Sequence, residues 1–187
     1  FQAQAYTGET LNGWNIIAQY NPKVKKRILL AAHWDSRHLA DSPLSTERQQ
    51  EPILGADDGA SGVGVLLEVA RNLQANPMGM GIDIILFDAE DYGDDNSANQ
   101  DMFSWCLGSQ HWARNKHVKG YKAQYGILLD MVGSKDARFA KDNISMKYAP
   151  NEMNKFWKLA NDMNKGNYFV NQPTTIGIDD HYIVNSV

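Results

Sequence analysis

Cysteine is almost missing from this 187-residue sequence: Cys106 stands alone. One thiol excludes an internal disulfide and a zinc cage built of cysteines, and says little about compartment. Long hydrophobic runs are missing too. No stretch approaches the ~20 apolar residues that cross a bilayer as a helix. Positive charge is in deficit, with 18 Lys+Arg against 22 Asp+Glu and a net charge of −4. The one basic run, Lys23-Val24-Lys25-Lys26-Arg27, precedes an apolar stretch and reads as a solvated edge. Nothing in this balance points to nucleic acid or an anionic membrane as partner. Repeats, low-complexity tracts and a signal-peptide pattern are not seen either. The chain opens on Phe1, so a mature form or a fragment is expected.

What is present is ordinary for a globular chain: 43% hydrophobic and 21% charged residues. The length suits a single domain, residues 1–187, with a sizeable core. Strands are expected at 14–20 (WNIIAQY), 28–33 (ILLAAH), 82–88 (IDIILFD) and 125–132 (YGILLDMV), the last three as buried strands. Helices are expected from 60 to 74, with Val63, Leu66, Leu67, Ala70 and Leu73 at helical spacing, and over 108–117. A third, over 151–164, carries Met153, Phe156, Trp157, Ala160 and Met163 on one face. The stretches 36–54 and 92–106 read as polar loops. Continuous apolar strands alternating with helices argue for an α/β fold with a mostly parallel central sheet. In such sheets, ligands bind beyond the carboxyl ends of the strands.

The strand ends carry chemistry. The first buried strand ends on His33-Trp34-Asp35-Ser36, the second on Asp88-Ala89-Glu90-Asp91, and the third carries Asp130 near its end. The segment Gly55-Ala56-Asp57-Asp58-Gly59 precedes the helix at 60, where free N–H groups favour anions. Taken singly, each has a plain explanation: Asp57 or Asp58 as a helix cap, His33 as a hydrogen-bonded core histidine, Asp130 as the partner of a base. Adjacent carboxylates behind an apolar strand are harder to explain that way, because burying ionised carboxylates costs several kcal/mol unless they are paired or bound to metal. One histidine and several carboxylates converging on one sheet edge suit zinc at a catalytic site.

The segments AAHWDSR, PILGADDGASGVGVLLEVAR, DIILFDAEDYG, CLGSQHWA, YGILLDMVG and IDDHYIVN resemble, in order, those of the M28 zinc-peptidase superfamily. The likeness spans about 28–187 and is greatest to its glutaminyl cyclase branch, in the form found in Bacteroidetes-type bacteria. The resemblance implies a zinc aminopeptidase/phosphorylase-like three-layer α/β/α fold, here incomplete at both ends. It assigns Asp58 and Asp91 as zinc ligands and Glu90 as general acid/base. Asp130 and Asp179 become a proton-sharing network in the cyclases, whereas Asp130 and His33 would hold a second zinc in the aminopeptidases. The family's last zinc ligand, a histidine downstream of Asp179-Asp180-His181, is expected beyond Val187.

Three readings stay open. The first is cyclisation of N-terminal glutaminyl residues to pyroglutamate with loss of ammonia. The second is hydrolysis of N-terminal residues by a two-zinc aminopeptidase. The third is a non-catalytic relative with a decayed site. The expected partners are peptide or protein N-termini, and the resemblance implies work in the cell envelope, the periplasm or outside the cell. Trp105 is a candidate apolar wall for the substrate side chain. Trp14, Trp112 and Trp157 read as core, Cys106 as a buried structural thiol, and His38, His111 and His117 as surface residues.

Overall fold

The computed structural model describes residues 1–42, 44–95 and 101–187. Its centre is a four-stranded sheet in the order β3-β5-β4-β6, formed by β3 (Ile16–Tyr20), β5 (Gly81–Phe87), β4 (Arg27–His33) and β6 (Gly126–Leu128). β4 runs parallel to both β5 and β6, and β3 is an antiparallel edge. β4 and β5 are the innermost strands, which is why they read as unbroken apolar runs.

Side chains alternate between the faces of a strand. On one face Leu29 and Ala31 of β4 and Ile85 and Phe87 of β5 pack with Trp112 of α2 (Leu107–Arg114). On the other, Ala32 meets α1 (Ala60–Ala75) at Gly62, where a Cβ would lie 3.0 Å from the Ala32 Cβ and 2.1 Å from the Leu129 carbonyl oxygen. The sheet is therefore flanked by helices on both faces, and the expected α/β class stands. Glycine lets α1 approach closely enough to hold its amino end against the strand ends.

Smaller elements complete the chain. β1 (Gln2–Gln4) and β2 (Thr10–Asn12) form an antiparallel hairpin, while β7 (Phe139–Asp142) and β8 (Phe169–Thr174) pair in parallel outside the central sheet. α3 (Asn143–Tyr148) and α4 (Pro150–Asp162) follow β7, and α5 (Asp180–Ser186) packs on α2. Pro150 opens α4, where its fixed φ suits the first helical turn.

Several expectations need correction. The strand expected over 125–132 is confined to Gly126–Leu128, and as a sheet edge it is only partly buried. Arg27 belongs to no solvated run: it is buried, because Asp83 of β5 lies within reach of its guanidinium. α1 buries the ridge Gly62, Leu66 and Leu73, while Leu67 is exposed. Trp14 is 65% exposed; its backbone serves instead, the N–H donating to Asp88 Oδ2 at 2.7 Å and the carbonyl accepting from Trp34 Nε1 at 3.0 Å. Trp112 is buried as expected, and Trp157 only partly so. His38, His111 and His117 are half-buried against Tyr92, Phe1 and Trp112 rather than free on the surface. The loop expected over 92–106 falls partly outside the described residues, and a 3-10 turn at Met102–Ser104 leads out of it.

Candidate active site

β4, β5 and β6 are parallel, so the chain leaves all three on the same edge of the sheet. His33 is the last residue of β4 and is fully buried. Its Nε2 lies 2.9 Å from Asp58 Oδ1, at the entry to α1, and 3.2 Å from Asp130 Oδ1, in the turn after β6. Its Nδ1 faces Asp35 Oδ1 at 3.4 Å. Burial works against charge on this imidazole, but hydrogen bonding to Asp130, Asp35 and Asp58 outweighs it and raises the pKa strongly. Gly59 at φ +87 makes the approach possible: a Cβ there would lie 2.4 Å from the Asp35 carbonyl and 3.2 Å from the His33 ring.

The turn after β5 is held from outside. Asp35 accepts from the Glu90 N–H at 3.1 Å and from the Asp91 N–H at 3.0 Å. Arg37, buried in the supposedly polar 36–54 loop, donates to the carbonyls of Asp91 at 2.9 Å and Gly93 at 2.7 Å, and pairs with Asp41 at 2.9 Å. Ala89 takes φ +53, Cys106 takes φ +58 and Met131 takes φ +47. These are left-handed non-glycine residues beside Glu90, against its side chain, and after Asp130. Such strain costs about 1–3 kcal/mol each and persists only where the surroundings impose it.

The held carboxyls are reluctant to ionise. Burial raises the Glu90 pKa well above the usual carboxylate range, with Asp180 and Asp179 adding to it. Asp91 is pushed up to about 7, by burial first and then by the charges of Asp58 and Asp35. Glu90 also feels the charge of His33, which favours its ionisation. At the start of α5, Asp179 is raised by burial and by Asp130, against the pull of His181. His181 bridges outward, with Nδ1 3.2 Å from Asp179 Oδ2 and Nε2 3.3 Å from Asp142 Oδ1 at the start of α3. Its imidazole is raised to about 10, because hydrogen bonds to Asp142 and Asp179 overcome its burial.

The six residues assigned to catalysis or metal, His33, Asp58, Glu90, Asp91, Asp130 and Asp179, thus gather at one sheet edge. Trp105 is half-buried beside them, with the Arg37 guanidinium 4.7 Å above its ring. Asp57, the neighbour of Asp58, is turned away: it accepts from the Gly133 N–H at 2.7 Å and from the Ser134 hydroxyl. Neither aspartate caps α1 through its side chain. Sequence reasoning assigns no role to Asp35, Arg37 or Asp180. The His-x-Asp spacing at the strand end was a usable signal for Asp35, and Asp180 lies in the quoted Asp-Asp-His motif. Arg37 closes the quoted AAHWDSR segment, but its backbone-carbonyl partners, Asp91 and Gly93, lie too far along the chain for the sequence to indicate what it holds.

The donor chemistry fits a divalent cation. Asp91 Oδ2 is buried with no hydrogen-bond partner among the described residues, and the Asp58 charge is near it. A cation between two such acids would remove both the repulsion and the unmet acceptor. Beside this pair, one ligand atom each from His33, Asp58 and Asp130 lie within 4.8 Å of one another, and Asp58 is common to both groups.

Residues 15–187 match the model of Peptidase family M28. The chain belongs to that family. Its fold superposes on a glutaminyl cyclase of Bacteroides thetaiotaomicron, solved bound to N-acetylhistamine, with a TM-score of 0.95, 46% identity, and coverage of 99% of this chain and 64% of that one. The glutaminyl cyclase of Porphyromonas gingivalis gives a TM-score of 0.92 and 49% identity over 98% of this chain and 63% of its own. A leucine aminopeptidase precursor, also from B. thetaiotaomicron, gives 0.93 and 46% over 99% and 65%. This M28 chain therefore spans less than two thirds of each of these structures.

Proposed function

We propose that the intact protein is a zinc-dependent glutaminyl cyclase, with residues 1–187 forming the α/β part of one catalytic domain. The observation that carries this reading is Asp179, an acid at the start of α5 whose pKa is raised by burial first and also by the charge of Asp130. A buried acid of this kind holds its proton more tightly than a free one. That proton can be offered to a nitrogen leaving group.

Asp58 and Asp91 are the residues of this chain that would hold the zinc. When bound, zinc would supply Lewis-acid polarisation of the γ-carboxamide. Glu90 takes a proton from the α-amine of the substrate, which then attacks the γ-carbon, and Glu90 returns the proton to departing ammonia. Its pKa, raised by burial first, suits a group that must both accept and donate a proton. Trp105 walls the glutamine side chain. A cell-envelope or extracellular location belongs to the same reading; cell fractionation tests it.

A second reading has its own support. The His33-Asp58-Asp130 group is compact enough to hold a metal ion, as a two-zinc aminopeptidase would require. The two diverge in an assay of the full-length protein on a Gln-initiated peptide and a Leu-initiated chromogenic substrate. Loss of one ammonia from the first, without release from the second, is the expected result. Release from the Leu substrate alone reverses the proposal.

A further inference from the structure

Glu90 has an unexpected neighbour. The Cys106 thiol lies 3.2 Å from Glu90 Oε1, and both residues are buried. Among the described residues no other donor reaches that carboxylate. The contact is framed by backbone: Cys106 N–H donates to the Glu90 carbonyl, Leu107 N–H to that of Ala89, and Gly108 N–H to that of Asp88, each at 2.9 Å. The loop before α2 is thereby laced to the turn that carries the acid pair. Cys106 adopts φ +58 at this point, a conformation that costs a non-glycine residue free energy.

A second observation tells donor from nucleophile. Asp180 is fully buried, and neither of its carboxyl oxygens has a hydrogen-bond partner among the described residues. Burial, and the nearness of Asp180, Glu90 and Asp179, hold the thiol proton on sulfur. A thiol among carboxyls is a poor nucleophile and a usable donor.

We propose that Cys106 is a positioning residue: its thiol donates to Glu90 Oε1, fixes the rotation of the carboxyl, and leaves Oε2 to exchange the proton with substrate. The proposal rests on the general acid/base reading of Glu90, and its tests separate the two. In the full-length protein Cys106→Ala is expected to lower kcat about tenfold, the size of one hydrogen bond. KM and zinc content should stay at wild-type values, because the buried thiol bonds Glu90 and Cys106 is not among the residues assigned to substrate or metal. Cys106→Ser keeps a donor of similar size and is expected to recover most of the loss. A merely structural thiol would show no such rescue. Wild-type kcat in Cys106→Ala, or equal losses in Ala and Ser, overturns the proposal.

The S–H stretching band gives a readout that depends on no reaction. A thiol bonded to a carboxylate absorbs below a free one, so the band should move upward in Glu90→Gln relative to wild type. A band that stays in place overturns the proposal even if the protein proves to be an aminopeptidase. If the band moves but no Gln peptide is cyclised, the cyclase reading fails and the bond to Glu90 stands.

Discussion

Two sets of buried carboxylates sit on or beside β5, one in its first half and one just past its end, and they are treated in opposite ways. Asp83 is fully buried and saturated with donors: Arg27 Nε at 2.6 Å, Arg27 Nη2 at 2.7 Å, Tyr121 hydroxyl at 2.8 Å and Gln19 Nε2 at 2.9 Å. Burial alone would raise its pKa, but these partners outweigh it and the pKa is lowered. Past the strand end, Glu90 has one weak thiol donor, while Asp91 Oδ2 and both oxygens of Asp180 have none among the described residues. Their pKa values rise. Burial does not distinguish the two regions; satisfaction does. A buried acid with a full set of donors is built for stability, and one left short is poised for a proton, a cation or a substrate.

The contrast can be broken at either end. The largest effect is expected at Asp83. Asp83→Ala leaves Arg27 buried without its partner and should cost about 3–5 kcal/mol of stability, read by denaturant unfolding. A loss under ~1 kcal/mol, the range of an exposed pair, would show that this end is not what holds the sheet. At the other end, Glu90→Gln should cut turnover by at least ~10²-fold, or about 2.7 kcal/mol. It should leave zinc content and the unfolding midpoint intact or improved, because a reluctant charge has been removed. Wild-type turnover, or lost zinc, would contradict the assigned role.

The next effect sharpens how the site is held. Gly62→Ala places a methyl against the Leu129 carbonyl and Ala32. Overpacking of this kind costs about 1–3 kcal/mol. Because Asp58 precedes the same helix, zinc affinity should fall along with the midpoint; an unchanged affinity would separate α1 packing from the site.

The smallest effect is the pH dependence of the metal-free protein. The folded chain binds protons more tightly than the unfolded one at Asp91, raised to about 7, and Asp180, raised to about 8, in both cases by burial first. Stability should therefore fall as pH rises from about 4 through these values, by up to ~1.4 kcal/mol per pH unit for each proton. His181 acts with the same sign: its contribution is complete below the ordinary histidine pKa and fades toward about 10. Asp142 acts only at the acid end; burial opposes its ionisation, but His181 and Ser145 prevail, and its contribution is lost as pH falls below the usual carboxylate range. Thermal unfolding should peak at about pH 4, where the acid-side loss at Asp142 has ended and the decline at Asp91 and Asp180 begins. Added zinc should flatten the decline, since a cation holds Asp91 ionised. Rising stability from there to neutrality without metal would contradict the shifts.

The periodic parts of the molecule were legible in the sequence because hydrophobic spacing is a local property. Ile28 to Ala32 and Ile82 to Phe87 announced the central strands, and Ala60 to Ala75, Leu107 to Arg114 and Pro150 to Asp162 came within a few residues of their expected limits. The short strands, three to six residues long, and α3 and α5 offered too few positions for a period to show. Five of the six candidate site residues were legible because they stand at strand ends or before a helix, where an α/β fold presents chemistry, whereas Asp179 came only from the resemblance of its Asp-Asp-His motif.

By itself the sequence determined the α/β class, the strand ends that meet at one edge, and the family to which the motifs belong. Which acids are satisfied and which are left short was decided only by tertiary structure. Arg27 reaches Asp83 across 56 residues, Asp35 reaches the Glu90 N–H across 55, and Cys106 reaches Glu90 across 16. No local pattern encodes such contacts. A side chain's proton affinity follows from what lies within a few ångströms of it, and for these carboxyls that neighbourhood is assembled from strands, loops and helices that meet only when the sheet has formed.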